Sequence, residues 1–378
     1  MRAVRGLVAM ALLTALSCRG AVEPFTSPSQ LSALPDGEQR VWGESDDLER
    51  ILARSGQLLD DPVADAYLRD LARRLFPDLA AALRLRILKD PEMNAFCLPN
   101  GGVYLNVGMI ARTRSESELA TIVAHEGSHF THRHGFQQRS AQVSTATFVQ
   151  GAGLLGGLAA AAAGQLVGLS SIQGFSRAHE READAAGFQR LVGAGLDPRD
   201  SPRVFERLAA EAQATGIREP YFFASHPSLR ERIDSFTALA RQATAPATSP
   251  DDTNYRAFAV PLQRLWLEQE IGLGRGERVI HVLTQPGAMA LFPPESPFYL
   301  GEAYRLRGAP DDRDRMVEAY RTAETAAPRF APARAALGVH YYRQKDCPRA
   351  RLHLSAYLEL EPSGPLSAHV RRFLEKCR

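Results

Sequence analysis

TIVAHEGSHFTHRHG, Thr121 to Gly135, sets four histidines and one acid within fifteen residues. An α-helix turns once every 3.6 residues, so His125 and His129 share a face and Glu126 stands beside them. In this H-E-x-x-H arrangement two imidazoles converge on one metal ion while a carboxylate is placed to move a proton, as a zinc hydrolase requires. Ser115 and Glu118 form a capping-box pattern upstream, which puts the stretch in the body of a helix. The pattern also fits a helix decorated with solvated histidines, so a third ligand has to come from elsewhere.

One extension fails. H-E-x-x-H-x-x-G-x-x-H needs Gly at 132 and His at 135, whereas the chain has His132 and Gly135; His132 reads as a solvated side chain. FSRAHEREADAAG, residues 175–187, supplies another. Glu180 and Asp184 are four apart on a second predicted helix, the E-x-x-x-D pairing of gluzincins. Glu180 can complete the coordination, and Asp184 can accept a hydrogen bond from the far nitrogen of a ligand histidine. The expected cofactor is one Zn2+ per chain. His226, in ASHPSLRERI, reads either as a turn residue before Pro227 or as a group that reaches the metal or the transition state.

Ahead of the metal helix, LRLRILKD alternates like a strand and GGVYLNVGMI begins as a second. Residues 102–107 read as an edge strand: Gly102, Val103, Tyr104 and Leu105 could pair with an extended substrate, or could simply close the sheet. Asp61 followed by Pro62 opens one of two helices upstream.

The N-terminus, MRAVRGLVAMALLTALSCRG, has Arg2 and Arg5 before an apolar run too short for a comfortable membrane span. It reads as an export signal over 1–17, and ALSC resembles the lipobox of bacterial lipoproteins, with Cys18 lipidated after cleavage, although Ala15 and Leu16 depart from the preferred residues; the alternatives are ordinary secretory cleavage near the same bond or an uncleaved anchor. The expected location is the bacterial cell envelope: periplasmic, anchored by lipid to the outer membrane. Residues 18–37 read as a tether. With 378 residues, 45% hydrophobic and 23% charged, the chain is long enough for two domains, and a formal net charge of +2 gives no field for nucleic acid. Between Arg139 and Arg177 no residue is charged, and the Ala/Gly-rich middle reads first as a packed pair of small-residue helices, then as an edge that dips into a membrane, and last as a true span.

Composition divides the chain into a peptidase domain, 38–242, a linker, 243–255, and a helical domain, 256–378. In the last, Leu337, Gly338, Tyr341, Ala350, Leu354, Tyr357 and Pro362 stand at tetratricopeptide-repeat spacing, and Leu300, Gly301, Tyr304 and Pro328 repeat it upstream. A degraded copy runs from about Phe258 to Pro293. Three stacked pairs make a short solenoid, read either as a helical cap on the peptidase or as a concave surface that docks a protein partner or substrate. Cys347 opens one helix and Cys377 ends the next, so antiparallel packing would bring them together as a disulfide in an oxidising compartment.

The segments NAFCLPNGGVYLNVGMI, ELATIVAHEGSHFTHRH, SRAHEREADAAG and SHPSLRERI, in this order, resemble the CAAX prenyl endopeptidase-like zinc metallopeptidases. The likeness is greatest to their periplasmic BepA-like members and extends to their HtpX-like membrane relatives. The resemblance implies a mainly α fold with a small β-sheet, an α+β zincin-like catalytic domain, here followed by the all-α repeat solenoid. It implies zinc ligands at His125, His129 and Glu180, the catalytic acid at Glu126 and a supporting acid at Asp184. It also implies that His226 occupies the metal's open site and restrains activity, and that His134 is structural. The expected reaction is hydrolysis of peptide bonds in unfolded or misassembled proteins by metal-activated water with Glu126 as general base. The rival is a catalytically restrained chaperone or scaffold acting through the repeats.

Overall fold

The computed structural model describes residues 22–145, 175–216, 229–243 and 252–377. The export signal, Cys18, residues 146–174 of the uncharged stretch, His226 and residues 244–251 of the linker lie outside the described residues.

Two amphipathic helices come first, α1 (Asp36–Arg54) and α2 (Pro62–Leu75). Asp61 caps α2 by accepting from the N–H groups of Val63 and Ala64 at 2.9 and 3.1 Å, and Pro62 at the first position has no N–H to satisfy. Within the described part of the stretch expected as a tether, Phe25 and Leu34 are buried. The Phe25 N–H donates to the Thr131 carbonyl at 2.7 Å, and its ring lies 5.5 Å from that of Phe130.

Three strands follow: β1 (Arg84–Leu88), β2 (Ala95–Cys97) and β3 (Gly102–Asn106). Their order is β1-β3-β2, with β3 parallel to β1 and antiparallel to β2. This corrects the edge-strand expectation for Gly102, Val103, Tyr104 and Leu105. Both rims of β3 are already paired, and all five of its residues are buried, so it has no rim to offer a substrate. The edge on the β2 side belongs to Ala95–Cys97.

After a short turn of helix, α3 (Val107–Ile110), comes α4 (Glu116–Thr131), every residue of which is buried. Ser115 caps it by accepting from the Glu118 N–H at 3.3 Å. Glu118 does not return the bond to Ser115; its carboxylate takes the Arg114 N–H at 2.7 Å and pairs with Arg207. Against α4 pack α5 (His134–Thr145), α6 (Arg177–Gly193) and α7 (Ser201–Ala214), while α8 (Leu229–Gln242) packs on α6 and α7.

The remainder is helical: α9 (Thr253–Gly272), α10 (Gly276–Leu283), α11 (Ser296–Arg307), α12 (Asp312–Ala326), α13 (Ala331–Arg343), α14 (Cys347–Leu360) and α15 (Ser367–Lys376). Helix α13 lies close against α14 because Gly338 has no side chain; a Cβ there would come within 2.5 Å of Leu354. Cys347, at the start of α14, and Cys377, after α15, are joined by a disulfide with Cα atoms 5.2 Å apart.

One hydrophobic core runs from Phe25 to Ala303, and a second gathers Tyr304 to Cys377. Helix α9 begins within the expected linker and seals onto the first half of the chain. Tyr67 and Phe258 stack at 4.2 Å, and the buried Tyr255 hydroxyl donates to the Thr113 carbonyl at 2.7 Å. Arg112 lies 4.6 Å from the Trp266 ring centre and forms a buried pair with Glu211 at 2.5 Å. No helix among the described residues is long and apolar enough to cross a membrane.

Candidate metal centre

The centre is built from two helices. On α4, His125 and His129 fall on one face, as four-residue spacing requires, and their Nε2 atoms are 3.0 Å apart. Helix α6 starts at the Ser176 cap, whose hydroxyl accepts from the His179 N–H at 3.2 Å, and presents Glu180 in its first turn. Gly187 lets α6 approach, since a Cβ there would lie 3.1 Å from the backbone nitrogen of His125. The two Glu180 oxygens consequently sit 3.6 Å from His125 Nε2 and 3.5 Å from His129 Nε2.

This set suits a small divalent ion. Donors held tetrahedrally at about 2.0–2.2 Å from zinc are roughly 3.3 Å from one another, and the three separations straddle that value. His125, His129 and Glu180 could thus hold a metal. All three are at most 3% exposed, and Glu126 beside them is fully buried. A cation bound among these buried donors would interact favourably with both carboxylates.

Each histidine is held from behind. Nδ1 of His125 faces Oδ1 of Asp184 at 2.9 Å, one helical turn beyond Glu180. Nδ1 of His129 faces Nδ1 of His134 at 2.9 Å, and Phe175 stacks on the His129 ring at 3.8 Å. Burial pushes His134 down to about 4 against the upward pull of Glu182, with His179 and His132 adding to the fall. His132 is not a freely solvated side chain: it is partly buried, with Nδ1 3.0 Å from the Ser128 carbonyl.

Arg232 was not singled out from the sequence. It is 2% exposed, and both Nε and Nη2 donate to Oδ1 of Asp184, at 3.2 and 2.9 Å. Nothing in its own spacing marks it, because the signal is a buried charge. Cys97, at the end of β2, is also near: desolvation pushes its thiol well above the ordinary range, and the Glu126 carboxylate adds to the rise.

Residues 62–240 match the model of peptidase family M48. The matched residues take in the sheet, α4 and α6. Among curated proteins, a Vibrio cholerae protein named as a beta-barrel assembly-enhancing protease is 34% identical over 227 residues, which cover 56% of this chain and 46% of that one. The Escherichia coli strain K12 beta-barrel assembly-enhancing protease is 29% identical over 255 residues, 62% of this chain and 50% of its own. The mitochondrial metalloendopeptidase OMA1 of Schizosaccharomyces pombe is 32% identical over 151 residues, 39% of this chain and 44% of its own. Over its metal centre the chain is thus similar to proteins named as proteases and metalloendopeptidases. The chain spans about half the length of the curated relatives it matches.

Proposed function

We propose that the chain is a zinc-dependent endopeptidase of the bacterial cell envelope that hydrolyses unfolded or misassembled proteins. In this reading His125, His129 and Glu180 are the zinc ligands and Glu126 is the general base. The observation that carries it is the convergence of three buried donors from α4 and α6, with the Glu126 carboxylate one residue along the same turn.

Bound there, zinc supplies Lewis-acid polarisation and a water whose pKa falls to about 7. Glu126, on the same turn, would serve as the general base, holding a proton from water and giving it up to the leaving amine. Asp184 holds the proton of His125 on Nδ1, which leaves the Nε2 lone pair for the metal. His226 would either bind the metal and restrain activity or act on the transition state; a rise in turnover in His226→Ala assigns it the restraining role, and a fall the second.

An extended substrate laid along the outer rim of β2 would pair with backbone rather than side chains, which suits unfolded chains better than a sequence motif. Cys18 carries the lipid that anchors the protein at the outer membrane. Helices α9–α15 are read as the repeat array that holds a protein partner, and a groove of ≈ 790 Å³ lined by Leu300, Tyr304, Arg315, Val317, His340 and Tyr341 supports this. The same groove favours the second reading, a catalytically restrained chaperone or scaffold.

The deciding experiment is cleavage of an unfolded model protein by the chain lacking residues 1–18, beside Glu126→Gln, with bound zinc quantified in both. Zinc in both and cleavage only with Glu126 is expected. Zinc in both and cleavage in neither favours the scaffold, and absence of zinc from both overturns the metal site.

A further inference from the structure

Each proposed ligand histidine turns a second nitrogen away from the metal position. For His125 that nitrogen faces Asp184 directly. For His129 the path is longer: Nδ1 lies 2.9 Å from Nδ1 of His134, and Nε2 of His134 lies 3.1 Å from Oε2 of Glu182. Every hydrogen bond needs one donor and one acceptor, and an ionised carboxylate can only accept. His134 therefore carries its proton on Nε2 and donates it to Glu182, which makes its Nδ1 the acceptor. His129 must then donate from Nδ1, and its lone pair falls on Nε2, the nitrogen beside His125 Nε2 and Glu180.

From this chain of atoms we infer that His134 and Glu182 are positioning residues for His129, fixing its tautomer and carrying a carboxylate's charge to it through a second imidazole. The inference rests on the zinc reading given above. The two ligand histidines are then supported alike, one by Asp184 in a single step and the other by Glu182 in two. Outer partners of this kind orient a metal-bound imidazole and raise its basicity.

The backbone is shaped to allow it. On one continuous helix, five residues would turn His134 about 140° away from His129. Helix α4 instead ends at Thr131, and Arg133 takes a left-handed conformation, φ 58°, before α5 begins at His134. That conformation costs an L-residue roughly 1–2 kcal/mol. The Arg133 guanidinium is secured by Glu38 and by the Glu23 carbonyl at 3.1 Å, and lies 5.0 Å from the Phe25 ring centre. His179 stacks on His134 at 4.4 Å with the rings 15° from parallel, so the intermediate ring is clamped. Glu182 ends the path at the surface, with its side chain 52% exposed.

The test is zinc affinity, measured by competition with a chromogenic chelator on the full chain, Glu182→Gln, Glu182→Ala, His134→Ala and the Glu182→Ala/His134→Ala double variant. Loss of an outer partner typically weakens metal binding about 10- to 100-fold. That loss is expected for Glu182→Ala, with a smaller one for Glu182→Gln, whose amide oxygen still accepts from Nε2. The double variant should bind no more weakly than His134→Ala alone, because the carboxylate acts only through that ring. Wild-type affinity in Glu182→Ala overturns the inference, as do independent, additive losses in the double variant. Should His134→Ala not fold, the two surface variants decide alone. A wild-type chain that takes up no zinc overturns the metal reading and this inference with it, whereas equal tight binding by wild type and both Glu182 variants overturns only the inference.

Discussion

Arg232 places Nη2 2.9 Å from Oδ1 of Asp184, the same oxygen that lies 2.9 Å from Nδ1 of His125. Guanidinium and carboxylate are both buried, and the guanidinium carbon sits 4.3 Å from the Phe205 ring centre. Helix α8 thus reaches His125 of the metal helix through the Arg232–Asp184 pair. Removing one member of such a pair leaves the other charge buried, at a typical cost of about 3–5 kcal/mol. Arg232→Met is expected to lower stability by that order in urea titrations of metal-free protein, and to weaken zinc binding as Asp184 loses its anchor. Arg232→Lys should recover only part of both, since one ammonium cannot reproduce the fork. Full stability and affinity in Arg232→Met would show that Asp184 is held adequately without it.

Acid sensitivity should trace to Glu116, in the first turn of α4. Burial works to raise its carboxyl, but the Arg74 bonds at 2.6 and 2.9 Å and the Tyr67 hydroxyl at 2.8 Å outweigh that and hold it below its ordinary range. A folded-state pKa below the unfolded value gives stability that is fully present above the unfolded value, 4.5, and lost as pH falls through the folded one. Glu116→Gln should therefore be less stable than wild type at pH 7, with the gap narrowing below about pH 4.5. Denaturant midpoints measured from pH 7 to pH 3 check it; a gap that stays constant would assign the loss to packing alone.

What was legible in the sequence was local. The four-residue spacings of His125 with His129 and of Glu180 with Asp184, and the caps at Asp61 and Ser115, depend on chain geometry within one or two turns, and each lies where that geometry puts it. What was not legible was pairing at a distance. Strand order is set by which rims meet after folding, and the three residues of β2 carry no alternation to announce themselves, so β3 was mistaken for an edge. The left-handed turn at Arg133 is carried by a non-glycine residue, so no sequence signal warned that His134 folds back onto His129. The seating of Phe25 against Phe130 was hidden for the same reason.

Chelation should destabilise the chain as well as silence it. A ligand that binds only the folded state adds stability that grows with its excess, about 2.7 kcal/mol at a hundredfold over its dissociation constant. Removing zinc with a chelator is expected to lower the unfolding midpoint, and adding zinc back should restore both midpoint and cleavage. Glu180→Gln should show little or no shift on either step, because one of the three converging donors has lost its charge. A chelator-induced shift of equal size in wild type and Glu180→Gln would move the metal elsewhere.

The disulfide should matter only to the far end of the chain. Cys347 and Cys377 are 30 residues apart, and closing a loop of that length removes unfolded-state entropy worth about 3.5 kcal/mol. The bridge ties α14 to α15, and Val370, Tyr357 and Leu354 pack in the same small core, so the stabilised unit is the terminal three-helix stack rather than the metal centre. Cys347→Ser/Cys377→Ser is expected to lose stability of that order in α13–α15 while keeping zinc affinity. Limited proteolysis followed by mass measurement distinguishes the two regions: new cleavage confined to residues beyond Ala331 supports a local staple, whereas zinc loss in the double variant would reveal coupling between the terminal helices and α4.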